Sequence, residues 1–256
     1  MDTEAKHPER DRSSAPATGP EEGSRSSRMP SRTATSISWR RTAVLGAACS
    51  AFVLLLSAFV VRPYLIPSRS MEPTLHVGDR VMVNKLAYRF GSGPHRGDVV
   101  VFDGTGSFVQ EPPRENPVAG LLHRAAASLG LAEPAETDYV KRVVGVGGDR
   151  VVCCDRRGRI EVNGHPLAED YLHPGDEPSR VRFDIVVPEG TLWMMGDHRS
   201  NSRDSRDHLG EPGGGMVPVG RVIGRVDWIG WPLRRMGSLP DSAAFTGVPA
   251  PGGAHG

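Results

Sequence analysis

The chain opens on a long polar stretch. Residues 1–41 are rich in Ser, Pro, Arg and Glu and carry almost no aliphatic side chains. A segment so poor in apolar surface cannot offset its ordering entropy, so disorder is expected, in a cytoplasmic tail. The pattern then inverts. Thr42 to Val61, TAVLGAACSAFVLLLSAFVV, runs 20 residues without a charge between Arg40-Arg41 and Arg62. As a helix it would span roughly 30 Å, the thickness of a bilayer's hydrocarbon core. A cleaved secretory leader has a shorter apolar core and a small-residue cleavage site, and Val60-Val61-Arg62-Pro63 offers none. The run predicts a transmembrane anchor at 42–61. Five arginines precede it within 20 residues (Arg25, Arg28, Arg32, Arg40, Arg41) and three follow (Arg62, Arg69, Arg80). That bias predicts a single-pass protein with its N-terminus inside and its body outside.

From Tyr64 the period shortens. GDRVMVNKLAY alternates around Val81 and Val83, and RGDVVVF is a continuous apolar strand. DYVKRVVGVGGDRVVCC holds two strands split by glycines. RIEVNGHPL contains Asn163-Gly164, a hairpin signal because both residues tolerate positive φ. FDIVVPEGTLWMMGD and GRVIGRVDWIGWPL close the series. Strands at this spacing, without long helices between them, predict a mainly β, antiparallel domain over 62–238. Residues 104–137 interrupt it with Gly, Pro and the stretch GLLHRAAASLGLA, read as an insertion with one short helix. The Pro/Gly/Ala-rich tail, 239–256, is expected to be disordered.

Composition narrows the function classes. The net charge is +1, with 31 basic and 30 acidic side chains, which gives no electrostatic case for nucleic acid. Three cysteines, Cys49, Cys153 and Cys154, make no disulfide framework and no C-x-x-C metal site.

Candidate chemistry begins at IPSRSMEPTL, Ile66 to Leu75. Pro67 and Pro73 restrict the backbone around Ser70, a candidate nucleophile, although most serines beside prolines are turn residues. A base is needed within hydrogen-bond reach. The nine histidines lie on polar, Gly/Pro-rich segments, whereas Lys141 sits inside the apolar strand YVKRVV. By alternation Tyr139, Lys141 and Val143 share one face and Val140, Arg142 and Val144 the other, so one basic residue points inward and one outward. A strand lysine commonly snorkels at a sheet edge. If Lys141 is buried instead, desolvation lowers its pKa and lets it accept a proton near neutral pH. The third element is MGDHRSNSRDSR, after an apolar strand. It reads as a solvated loop or as a fixed network of Asp197, Asp204, Arg199 and Arg206, in which Ser202 could orient the lysine.

IPSRSMEPTL, YVKRVVGVGGDRV and GDHRSNSRDSR stand in the order and spacing of the bacterial type I signal peptidases, which the chain resembles from Tyr64 to Leu233 and in its anchor. The paired cysteines are similar to those of actinobacterial members. The resemblance implies a serine/lysine endopeptidase on an antiparallel β fold at the outer face of the cytoplasmic membrane. Its substrates would be the signal peptides of exported preproteins, cut after small residues at −1 and −3. It implies Ser70 as nucleophile, Lys141 as general base and Ser68 as an oxyanion donor. Ser202 would hydrogen-bond the lysine, and Asp204 with Arg206 would support it. Tyr64, Ile66, Pro67, Met71, Leu75, Tyr139 and Val140 would line the substrate groove. The family's last box commonly reads GDNRDNSSDSR. Here His198 replaces Asn, Ser200 replaces Asp and Arg203 replaces Ser, and Gly147 stands where proline is usual. No metal or cofactor is implied, and a monomer is expected. For Cys153-Cys154 a strained vicinal disulfide competes with the plainer expectation of buried free thiols. Two other classes compete with this reading. A self-cleaving serine/lysine regulator would carry a DNA-binding module, and a catalytically dead binding module would lack Ser70 or Lys141.

Overall fold

The computed structural model describes residues 39–109 and 137–251, without the side chains of 56–59. The expected polar tail, most of the insertion and the last residues lie outside these ranges. By its internal contacts the chain divides into Met1–Ala43 and Val44–Gly256. The first unit contributes only the opening of helix α1, Trp39–Phe59. Among the described residues no helix is long and apolar enough to cross a membrane. Within α1, Val44, Leu45, Phe52, Val53, Leu54 and Leu55 are all exposed.

The second unit is mainly antiparallel β, as the strand spacing predicts. Among the described residues twelve strands follow α1: β1 (Val61–Leu65), β2 (Arg80–Asn84), β3 (Val99–Asp103), β4 (Asp138–Val146), β5 (Arg150–Cys153), β6 (Ile160–Val162), β7 (His165–Pro166), β8 (Phe183–Val186), β9 (Thr191–Met195), β10 (Val217–Pro218), β11 (Val222–Trp231) and β12 (Gly237–Ser238). Seven form a ladder in the order β1-β2-β11-β3-β4-β9-β10, with β12 on β11. The other four form a smaller sheet, β7-β6-β5-β8. Asn163 and Gly164 both adopt positive φ, 53° and 76°, and turn β6 into β7 as the Asn-Gly pair predicts.

The hydrophobic pattern explains the layers. In β2 only Val81 and Val83 are fully buried, which matches its alternation. Val99–Phe102 of β3 are all apolar because both faces of the strand are covered there. Val99 and Val101 join one core cluster with Tyr64, Ile66, Met71 and Leu75. Val100 and Phe102 join another with Val143, Leu192 and Met194. β9 is likewise divided, since Trp193 and Met195 pack with Val151, Ile160 and Phe183 of the smaller sheet. Each fully buried side chain of this size contributes about 1.5–3 kcal/mol.

Three expectations are corrected here. Lys141 and Arg142 do not alternate between inside and outside: both are buried, at 4% and 3% exposure. Arg142 tolerates this because the buried Asp197 meets its charge. Cys153 and Cys154 are joined as a vicinal disulfide rather than left as free thiols. The tail is not loose from Leu239 but follows the body to Pro251. Ser242 caps the short helix Ala243–Phe245, Ala244 is buried, and Phe245 stacks on Tyr171 at 6.2 Å. Its apolar residues find a place against the second core, where Phe245 and Val248 pack.

Candidate functional site

The Ser70 segment leaves the β1–β2 ladder at its end. Pairing continues one residue past Leu65, where the Ile66 N–H donates to the Asp79 carbonyl at 2.9 Å. The chain then turns tightly: Glu72 N–H donates to the Arg69 carbonyl at 3.0 Å and Leu75 N–H to that of Met71 at 2.8 Å. Met71 and Leu75 plug the turn into the first core. Ser70 is thereby held 7% exposed, while Ser68 is exposed, and their hydroxyls lie 3.3 Å apart.

β4 brings in Lys141. Its Nζ donates to Ser70 Oγ at 2.7 Å, across 71 residues of sequence. Burial pushes the lysine pKa down from 10.5 to about 8, even though the charges of Asp204 and Asp197 pull it upward. Desolvation wins because the two carboxylates are already engaged. Arg142 Nε and an outer nitrogen donate to the two oxygens of Asp197 at 2.8 and 2.6 Å. Thr74 donates to the same carboxylate, which ties the Ser70 turn to β4. Asp204 takes Arg206 Nε at 2.8 Å and a second Arg206 nitrogen at 2.9 Å. Burial raises the Asp204 pKa, but these bonds, with those from Gly196 N–H and Ser202, hold it below the usual carboxylate range.

The segment after β9 closes the other side. Gly196 packs against both serines: a Cβ there would meet Ser202 Oγ at 2.2 Å and the Ser70 carbonyl oxygen at 2.6 Å. His198 N–H donates to the same Ser70 carbonyl at 3.1 Å. Ser202 Oγ donates to Asp204 at 2.8 Å. Among the described hydrogen bonds none joins Ser202 to Lys141; the Ser202 hydroxyl bonds Asp204, whose charge acts on the lysine. The expected network of Asp197, Asp204, Arg199 and Arg206 resolves into separate ion pairs. Arg199 pairs with Glu169, a residue not singled out in the sequence.

The expected groove residues divide. Tyr64, Ile66, Met71 and Leu75 are almost fully buried, with Val140 packed against them, so they form the floor under Ser70. Pro67 is exposed beside Ser68. Tyr139 belongs to a different cluster, stacked on Phe102 at 5.9 Å and edge-on to Phe108 at 5.4 Å. Three residues that the sequence keeps apart also meet. One ligand atom each of Glu72, His173 and His198 lies within 4.8 Å of the others. The His-for-Asn change at His198 was a visible signal, but His173 was not, because its loop is placed only by the fold.

The chain also has identifiable relatives. Residues 39–231 match the family described as signal peptidase, peptidase S26. A signal peptidase I of Mycobacterium tuberculosis is 43% identical over 220 residues, covering 77% of this chain and 74% of that protein. A probable signal peptidase I of Mycobacterium leprae is 40% identical over 226 residues, covering 77% and 78%. A solved signal peptidase I from Enterococcus faecalis aligns at 22% identity with a TM-score of 0.34, over 53% of this chain and 97% of that one. The chain belongs to the bacterial signal peptidase I family, peptidase S26, and is a peptide hydrolase.

Proposed function

We propose that this chain is a membrane-anchored serine endopeptidase that removes signal peptides from exported preproteins, with Ser70 as nucleophile and Lys141 as general base. The observation that carries this reading is the 2.7 Å contact between Lys141 Nζ and Ser70 Oγ in a site where the lysine is 4% exposed. A neutral amine there accepts the Ser70 O–H proton as Oγ attacks the carbonyl after the −1 residue. The developing oxyanion is met by the Ser70 N–H, which bonds to no other described group, and by the Ser68 hydroxyl. Such a donor is worth about 3–4 kcal/mol. The tetrahedral adduct collapses as the lysine ammonium protonates the leaving amine. Water then loses a proton to Lys141 and attacks the acyl-enzyme, and Ser70 Oγ recovers its proton as the new carboxylate departs. Asp204, held by Arg206 and Ser202, keeps the lysine's surroundings fixed.

Sheet edges support an extended substrate. Among the described residues β1 pairs only with β2, and Asp138–Lys141 of β4 pairs only with β3. A peptide added along these edges would pass Ser70, and the preference proposed for it is cleavage after small residues at −1 and −3. The exposed apolar side chains of α1 and the arginines before it support an anchor with an inner N-terminus and an outer catalytic domain. Enzyme and signal peptide would then share one bilayer.

The deciding experiment is cleavage of a purified preprotein by the detergent-solubilised chain, read by mass spectrometry of the new N-termini. Ser70→Ala and Lys141→Ala should each lower turnover by roughly 10³-fold or more while the fold persists. Near-normal turnover in Lys141→Ala would sink the dyad assignment.

A further inference from the structure

The group formed by Glu72, His173 and His198 is not needed for the chemistry above. All three side chains are partly buried and reachable from solvent. The two imidazoles stack at 3.8 Å with an interplanar angle of 4°. His198 Nδ1 stands 3.9 Å from the Glu72 carboxylate. Two imidazoles and one carboxylate form the donor set of an open transition-metal site, which leaves a coordination position for water. Calcium and magnesium, which prefer oxygen donors, fit it poorly.

The surrounding backbone already holds these side chains together. His173 N–H donates to the Asp197 carbonyl at 3.0 Å, the residue beside His198. Asp176, three residues beyond His173, accepts from the Ser200 N–H at 3.1 Å, two residues beyond His198. The two histidine loops are therefore fixed to each other by bonds independent of the rings. Glu72 is delivered by the turn that carries Ser70, and His198 N–H bonds the Ser70 carbonyl at 3.1 Å. As they stand the stacked rings hold their in-plane lone pairs parallel, and His198 Nδ1 lies 3.3 Å from the Arg69 carbonyl oxygen. Binding therefore requires side-chain rotation that opens the stack and turns ligand atoms already within 4.8 Å of one another onto one ion.

We infer that Glu72, His173 and His198 bind one zinc-like divalent transition-metal ion, which clips the nucleophile turn, the 167–178 loop and the box after β9 together. Its role is structural: the ion bridges three segments distant in sequence and lies outside the Ser70–Lys141 contact. Bound metal at free concentration c stabilises the folded chain by RT ln(1 + c/Kd), so the effect grows with the logarithm of its concentration.

The test uses the full chain in detergent, stripped with chelator, and two probes: Zn²⁺ in thermal unfolding and Co²⁺ in visible absorption. Zn²⁺ at about a hundredfold excess over its Kd should raise Tm by about 5–10 °C. Co²⁺ should give ligand-field bands that saturate at one ion per chain and bleach on adding Zn²⁺. His173→Ala and, separately, His198→Asn should each abolish both signals. His198→Asn restores the residue common in relatives, so it keeps the proposal testable if His173→Ala unfolds. Equal Zn²⁺ stabilisation of the parent and both variants, or absence of the Co²⁺ bands from the parent, would overturn the inference and leave a stacked histidine pair.

Discussion

Gly196 touches Ser70 through its missing side chain: a Cβ at this glycine would lie 2.6 Å from the Ser70 carbonyl oxygen. The obstructing atom is backbone and cannot swing aside. Ser202 crowds the same point from the other side, with Oγ at 2.2 Å and Cβ at 2.5 Å. The glycine that opens the GDHRSNS box is thus required by space.

Gly196→Ala should therefore displace the Ser70 turn. Overpacking of this kind typically costs about 1–3 kcal/mol, and a misplacement near 1 Å can cost about a hundredfold in rate. Preprotein cleavage should fall by roughly that factor, with a modest drop in Tm. Wild-type turnover in a folded Gly196→Ala protein would show that the close approach does not position the serine.

The pH profile follows from the lysine. In the proposed dyad Lys141 has to be neutral to accept the serine proton, and burial brings its pKa to about 8. Activity should rise with pH through about 8 and level off above it. Asp204 raises the lysine pKa, so Asp204→Asn should move this limb to lower pH. Arg206, then lacking its carboxylate partner, would push in the same direction. A limb that stays in place in Asp204→Asn, or that titrates near an ordinary lysine, contradicts this electrostatic account.

The same burial sets a stability cost. A lysine whose folded pKa lies below its unfolded value destabilises the fold fully below about pH 8 and progressively less up to 10.5. At about 1.4 kcal/mol per pKa unit the cost is roughly 3 kcal/mol. Lys141→Met should accordingly unfold at a higher denaturant concentration than the parent at pH 7, with the gap narrowing toward pH 10. Arg142→Met should do the reverse, because it strands the buried Asp197, and breaking such a pair costs about 3–5 kcal/mol. Chemical denaturation at both pH values separates the two cases.

Much of this was readable in advance, for identifiable reasons. The strands were legible because Val81, Val83 and the run Val99–Phe102 advertise one- or two-sided burial directly. The sequence motifs point to Ser70 and Lys141 as a pair, since a lysine inside an apolar strand is unusual, and the fold brings the two within 2.7 Å. Arg142 was misjudged, since strict alternation ignores a partner as distant as Asp197. Ser202 is expected at the lysine, whereas the described hydrogen bond of its hydroxyl goes to Asp204. The tail was misread because composition does not reveal that Phe245 meets Tyr171. The pairing of His173 with His198 depends wholly on loop placement and has no local signature.

β9 has one more consequence. Its side chains are pinned into two different cores, Leu192 and Met194 on one face and Trp193 and Met195 on the other. The strand runs straight into Gly196, so the box beside Ser70 inherits the rigidity of both layers. Tolerance to change should therefore be lopsided in this molecule. The outer loops can drift with little effect on catalysis, whereas one altered methyl group within Leu192–Met195 would be transmitted along the strand to Ser70.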